Sequence, residues 1–262
     1  MSGFDLSAAL SGLLAACALG AATWIVSVIK RDVSIVDSLW SVLIVTAAGT
    51  YAFALQAAGP RAVWLIPIAG CWAVRLCGYI TWRNWGEPED YRYQQIRARN
   101  EPNFTFKSVY LVFTLQAVLA WIVAAPLAAA LTGAPASGIT DWIGAAIAVF
   151  GIVFETVGDA QLAAFKGDPA NRGRVMDKGL WRYTRHPNYF GECCVWWGFF
   201  IIALGAGAAW TVVSPLLMTM LLLKVSGVAL LEKDIVERRP EYRDYIARTS
   251  AFLPRPPRSL SR

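Results

Sequence analysis

Residues 179–192 read GLWRYTRHPNYFGE. The stretch sets Arg182, Arg185 and His186 among aromatic rings, adds the amide of Asn188, and ends on the carboxylate of Glu192 just inside a new apolar run. On each side lies a segment long enough to cross a bilayer, so the last polar residues fall at the membrane's edge or within it. Polar groups at that depth are costly unless paired, and such a stretch reads as a functional site by default.

Composition points the same way. Of 262 residues, 56% are hydrophobic and 16% charged, and the mean hydropathy of +0.46 lies outside the soluble globular class. The first cation is Lys30, so the first apolar run lacks the basic flank of a cleaved signal peptide and is expected to remain as a helix. A helix needs about 20 apolar residues to span the hydrocarbon core. Seven segments qualify: 7–29, 33–58, 62–82, 108–131, 140–164, 189–208 and 210–231. The expected fold is all-α, a seven-helix transmembrane bundle forming one domain over residues 1–262.

Charge sets the orientation. All but Arg61, Arg75 and Lys224 of the 24 Lys and Arg fall in the links after the first, third and fifth segments or in the tail 233–262. Cytoplasmic loops are enriched in Lys and Arg, which predicts an outside N-terminus and a cytoplasmic C-terminus. The same bias accounts for the net charge of +6 without any nucleic acid. The tail's end, FLPRPPRSLSR, reads as a solvated segment or one touching lipid headgroups. The five cysteines lie inside apolar runs without metal-ligand spacing, so neither a disulfide framework nor a metal site is expected.

Asp37, Arg75, Glu155, Asp159, Glu192, Lys224 and Glu232 interrupt or end the apolar runs. Each charge costs about 2.5–3.5 kcal/mol at a helix centre, so these residues are expected to face one another. Glu155 and Asp159, four residues apart, share a helix face. In the simplest alternative, Arg75 and Lys224 neutralise these acids as structural glue. All seven fall toward the predicted cytoplasmic half, beside two rich loops, which fits a cavity open to the cytosol.

The loop within 83–107 alternates aromatic and basic residues. It reads either as a solvated connector with an aromatic belt or as a lid that stacks on a planar ring and binds phosphate. The loop 165–188 has turn formers at Gly167-Asp168-Pro169 and Asn171 to Gly173, with Arg172, Arg174 and Lys178 close together. Clustered cations in a Gly-bearing loop suit an anionic, phosphate-bearing ligand. Neither GxGxxG nor a P-loop occurs. His186 is the only histidine, which excludes a Ser-His-Asp triad and multi-His metal chemistry; it reads as a group that orients a ligand phosphate or amide.

GLWRYTRHPNYFGE, the later LLEKDIVERRPEYRDYIARTSAFLPRPP (Leu230 to Pro257), and the early VDSLW and WGEPEDYRY together resemble the bacterial branch of the steroid 5-alpha-reductase family. The likeness extends more distantly to sterol reductases (RHxNYxGD) and isoprenylcysteine carboxyl methyltransferases (RHPxYxG). The family resemblance implies an enzyme in the bacterial inner membrane, acting as a monomer on a lipophilic, steroid-like substrate with NADPH. S-adenosylmethionine-dependent methylation is the alternative, and lipid binding or transport a non-catalytic one. Asn188 and Glu192 stand at the reductase motif's amide and acidic positions and favour the reductase.

By the same resemblance, Asp159 reaches the adenosine or ribose, and Lys166, Arg172 and Arg174 surround the phosphates. Tyr183, Arg185, His186, Asn188, Tyr189 and Glu192 line the cofactor. Glu232 and Arg243 close it from the last helix and tail, and Trp85, Arg92 and Tyr93 cover it from the other loop. Steroid-reducing relatives polarise the substrate's carbonyl with a Glu/Tyr pair on early helices. This chain offers Asp37 instead, with no tyrosine evident beside it in sequence, so the donor is expected to be Asp37 first and Glu192 second. The alternative pairs Asp37 with Arg75 or Lys30.

Overall fold

The computed structural model describes residues 4–56, 58–133, 138–225, 228, 235–238 and 240–258. Among them no strand occurs. The principal helices are α1 (Leu6–Lys30), α2 (Ile35–Ala54), α3 (Ala62–Asn84), α4 (Tyr91–Asn100), α5 (Phe104–Val123), α6 (Ala125–Thr132), α7 (Ile139–Gly167), α8 (Pro187–Gly205), α9 (Ala209–Lys224) and α10 (Tyr242–Arg248).

Five of these, α1, α2, α3, α5 and α7, are long and apolar enough to cross a membrane. The chain is thus all-helical, with the helices of a multi-pass membrane protein. The fourth expected segment, 108–131, is two helices. Pro126 stands in the first turn of α6, where its missing N–H ends one helix and begins another. The sixth and seventh expected segments form α8 and α9. Asn188 and Glu192 lower the apolarity of α8, and α9 is short among the described residues.

The lipid setting is visible in α1. Its buried face carries Ala8, Ala9, Gly12, Ala16, Gly20, Thr23 and Ser27. Its outer face carries large apolar residues, among them Leu6, Leu14, Ile25 and Ile29, the last 78% exposed. In water such a face would be a liability. Between helices in lipid, small residues inside and large ones outside are the expected arrangement, because close backbone approach drives association there. At Gly12 a β carbon would stand 2.7 Å from the Ala47 carbonyl oxygen, so α1 and α2 meet backbone to backbone.

Contacts divide the chain into two compact units, Met1–Asp141 with Ile202–Ser214, and Trp142–Ile201 with Pro215–Arg262. In the first, polar side chains tie helices together by reaching main-chain carbonyls. Ser41 donates to Ala73 O on α3 (2.8 Å), Trp121 Nε1 to Ala9 O (2.8 Å), and Ser214 to Val123 O (2.7 Å). An apolar cavity of about 200 Å3 lies among Ala47, Tyr51, Trp121, Ala128 and Trp210, toward the opposite end of α2 from Asp37. Arg61, the cation that stands apart from the basic links in sequence, is buried. Its Nε lies 3.0 Å from each carboxylate oxygen of Asp141, and Nη2 donates to Gly205 O at 3.3 Å.

In the second unit α7 and α8 approach through glycines. A β carbon on Gly151 would lie 2.5 Å from Gly191 O, one on Gly191 2.7 Å from both Glu155 Cβ and Gly151 O, and one on Gly198 2.6 Å from Ala148 N. This contact sets the first turns of α8 beside Glu155. Gly191→Ala is expected to lower stability by about 1–3 kcal/mol through overpacking, read as a lower Tm in detergent. An unchanged Tm would remove the helix contact that places Glu155.

Candidate functional site

In the first unit the residues of interest gather at the start of α2. Asp32 accepts from both Ser34 N–H (2.8 Å) and Ser34 Oγ (2.5 Å), shaping the turn that leads into α2. Glu89 then accepts from Val33 N–H (2.9 Å) and from Arg97, whose Nε and Nη2 lie 2.9 and 2.7 Å from its two oxygens. This fork fixes α4 on the α1–α2 turn. Tyr93, Phe104, Val112 and Phe113 pack with Val33 and Val36 in one apolar cluster beneath it.

Fixing α4 brings its first turn to Asp37. Arg92 Nη2 donates to Asp37 Oδ2 (2.7 Å), and the Tyr93 hydroxyl donates to Asp37 Oδ1 (2.6 Å). Asp90, the N-cap of α4, accepts from the Arg92 N–H and Nε, each at 2.9 Å. Gln116 Nε2 reaches the Tyr93 oxygen at 3.5 Å, just after a stretch of wider π-helical winding, Val109–Thr114, a feature frequent at functional sites.

The electrostatics follow from burial and these contacts. Burial raises the Tyr93 phenol well above its ordinary range, and the Asp37 charge adds to this. Burial works against the Arg92 charge, but the Asp37 and Asp90 carboxylates outweigh it and hold its proton more firmly than usual. Burial would likewise raise Asp90, yet its bonds and attraction to Arg92 hold it below the usual carboxylate range.

The partner that the alternative reading gave Asp37 is therefore corrected. It is neither Arg75 nor Lys30 but Arg92, from outside the membrane spans. Arg75 lies over the ring of Tyr79 and Lys30 near that of Trp85. Residues 91–100 form a helix, and Arg92 and Arg97 sit in ion pairs, while Trp85 is exposed.

In the second unit, the 179–192 stretch is the point on which the other parts are fastened. Leu180 N–H donates to Gln161 Oε1 and Trp181 Nε1 to Gly158 O, both at 2.9 Å, holding it to α7. The tail holds it from the other side. The Tyr245 hydroxyl donates to Trp181 O (2.5 Å), Thr184 Oγ1 to Phe252 O (2.8 Å), and Arg255 N–H to Tyr183 O (2.9 Å). Arg185 donates from its backbone to Ser250 O (2.9 Å) and from Nη1 to Thr249 O (2.5 Å) and Ile246 O (3.2 Å). Phe154, Phe190 and Phe252 continue the join as edge-to-face rings from α7 through α8 to the tail. The segment expected to be solvated or at headgroups is therefore docked by its backbone as far as Arg258, while Leu253, Arg255 and Arg258 expose side chains.

Glu155, Asp159, Arg185, His186 and Glu192 are all buried. His186 stacks on Tyr189 with centroids 5.4 Å apart and planes 3° from parallel. Glu192 accepts from Trp196 Nε1 at 3.0 Å, one helical turn on. Asn188 and Tyr189 are partly exposed, while Lys166, Arg172, Arg174, Tyr183 and Arg243 are exposed. Glu232 lies outside the described residues. The arrangement thus offers buried carboxylates and an amide at the head of α8, with open cations on the loop before it. These are suitable partners for a ligand carrying both amide and phosphate groups.

Residues 23–249 match DUF1295, a family of proteins of unknown function. The chain belongs to the DUF1295 family. The match takes in both the Asp37–Arg92–Tyr93 cluster and the 179–192 stretch of this DUF1295 protein. An uncharacterized protein of the fission yeast Schizosaccharomyces pombe is 28% identical over 276 residues, covering 93% of this chain and 79% of the yeast protein. No solved structure matches this chain.

Proposed function

We propose that this DUF1295 protein is a membrane-embedded, NADPH-dependent reductase of the activated C=C bond of 3-oxo-4-ene, steroid-like lipids. The carrying observation is the Tyr93 phenol held on the Asp37 carboxylate. Reduction of an enone places negative charge on the carbonyl oxygen, and a positioned donor there supplies a large share of catalysis. A carboxylate paired with Arg92 is an acceptor only, so the donor role first expected of Asp37 passes to Tyr93. Asp37 holds the phenol in place until substrate binds, and its single O–H then turns from Asp37 Oδ1 to the substrate's carbonyl oxygen, with Arg92 remaining as the partner of Asp37. The resemblance of this family to steroid 5-alpha-reductases supports the reading.

NADPH, when bound, supplies hydride to the β carbon of the enone. Asn188 and Glu192 are assigned to its carboxamide, Asp159 to its adenosine side, and Lys166, Arg172 and Arg174 to its phosphates. His186 and Tyr189 present stacked rings beside that set. In this reading the spans number seven and the tail is cytoplasmic, so cofactor enters from the cytosol and substrate from the bilayer.

Thermal shift in detergent tests it. NADPH is expected to raise Tm more than S-adenosylmethionine does, by linkage of binding to folding, and Asn188→Ala or Glu192→Ala to weaken that effect about tenfold or more in NADPH concentration. A larger shift with S-adenosylmethionine would replace the reductase with a methyltransferase.

A further inference from the structure

We propose that the C-terminal segment carries a second anion site, for a phosphate group, built from Arg248, Arg255 and Arg258. After α10 the chain folds back on itself, with Arg258 N–H donating to Arg248 O at 2.9 Å and Arg255 N–H pinned to Tyr183 O. The fold encloses a polar pocket of about 270 Å3 that Thr249 and Ser250 help to line. A helix C-terminus ordinarily repels anions through its free carbonyl groups. Here three carbonyls at that end are occupied. Ile246 O and Thr249 O accept from the Arg185 guanidinium, and Arg248 O accepts from Arg258 N–H.

The donors, by contrast, are left over. Arg248 uses Nη2 on Asp177 at 2.5 Å, while its Nε is buried without a hydrogen-bond partner. A buried donor in that state is costly, and an oxygen of a bound anion would satisfy it. Arg255 and Arg258 are exposed and have no side-chain ion pair among the described residues. Three guanidinium groups against one carboxylate leave the pocket positive, and the planar fork of arginine matches the oxygens of phosphate. The ligand is a phosphate mono- or diester, carried either by a lipid headgroup or by a soluble molecule. The site is independent of the reductase reading, since neither its residues nor its ligand enters the hydride transfer.

The test uses the full-length protein and the double variant Arg255→Gln/Arg258→Gln, whose side chains hold nothing in the fold. Inorganic phosphate is titrated against chloride at equal ionic strength in detergent. Tm is also compared in nanodiscs of phosphatidylglycerol and of phosphatidylcholine. Wild type is expected to be stabilised by phosphate over chloride, by phosphatidylglycerol over phosphatidylcholine, or by both. The double variant is expected to need about tenfold more phosphate or to lose the lipid preference. Stabilisation by phosphatidylglycerol alone identifies the headgroup as the source; stabilisation by phosphate alone identifies a soluble ligand. Equal responses of variant and wild type, or no preference for either anion source, overturn the site.

Discussion

Tyr93→Phe is expected to cut turnover of a 3-oxo-4-ene steroid roughly 10²–10³-fold, the loss typical of one donor to a developing oxyanion, while NADPH still raises Tm as in wild type. The substitution removes one hydroxyl and keeps the ring in the cluster of Val33, Val36 and Phe104, so the fold is retained. Asp37→Asn is expected to lower turnover too, because an amide can turn its NH2 toward the phenol and release it from its held orientation. Arg92 keeps Asp90 as a partner in that variant. Since burial keeps the Tyr93 proton on well above the ordinary phenol range, the alkaline limb of the pH–rate profile should not report Tyr93. NADPH oxidation against a panel of enones is the measurement. A Tyr93→Phe protein with the wild-type rate would sink the donor assignment, and an unchanged Asp37→Asn protein the positioning one.

The sequence revealed what repeats along a helix and concealed what folds across loops. The long apolar runs of α1, α2, α3, α5 and α7 were legible because spanning length is a local property. The break at Pro126 was legible in principle from one residue. Tyr93 was visible as a loop aromatic but not as the partner of Asp37. That pairing depends on Glu89 gripping both Val33 N–H and Arg97, a tertiary join with no periodic signature. The 179–192 stretch stood out through its polar residues beside apolar runs. Its role as the anchorage of the tail did not, because Thr184, Arg185 and Trp181 are held through main-chain carbonyls, which any sequence supplies.

Arg61 gives the largest expected effect on stability. In sequence Arg61 only stood apart from the basic links, yet Arg61 and Asp141 are 1% and 2% exposed and bonded through both carboxylate oxygens. Removing one partner strands the other charge without water, which costs about 3–5 kcal/mol. At roughly 2–4 °C per kcal/mol for a chain of this size, Arg61→Met or Asp141→Leu is expected to lower Tm by about 6–20 °C. The pair Arg61→Met/Asp141→Leu should recover most of the loss, because apolar groups of similar volume often replace a buried ion pair without penalty. Little dependence of the single-variant loss on salt is also expected, since buried charges are poorly screened. A double variant no more stable than the sum of the singles would show that the two residues act separately, whereas a large positive coupling requires that they stabilise the first unit as one ion pair.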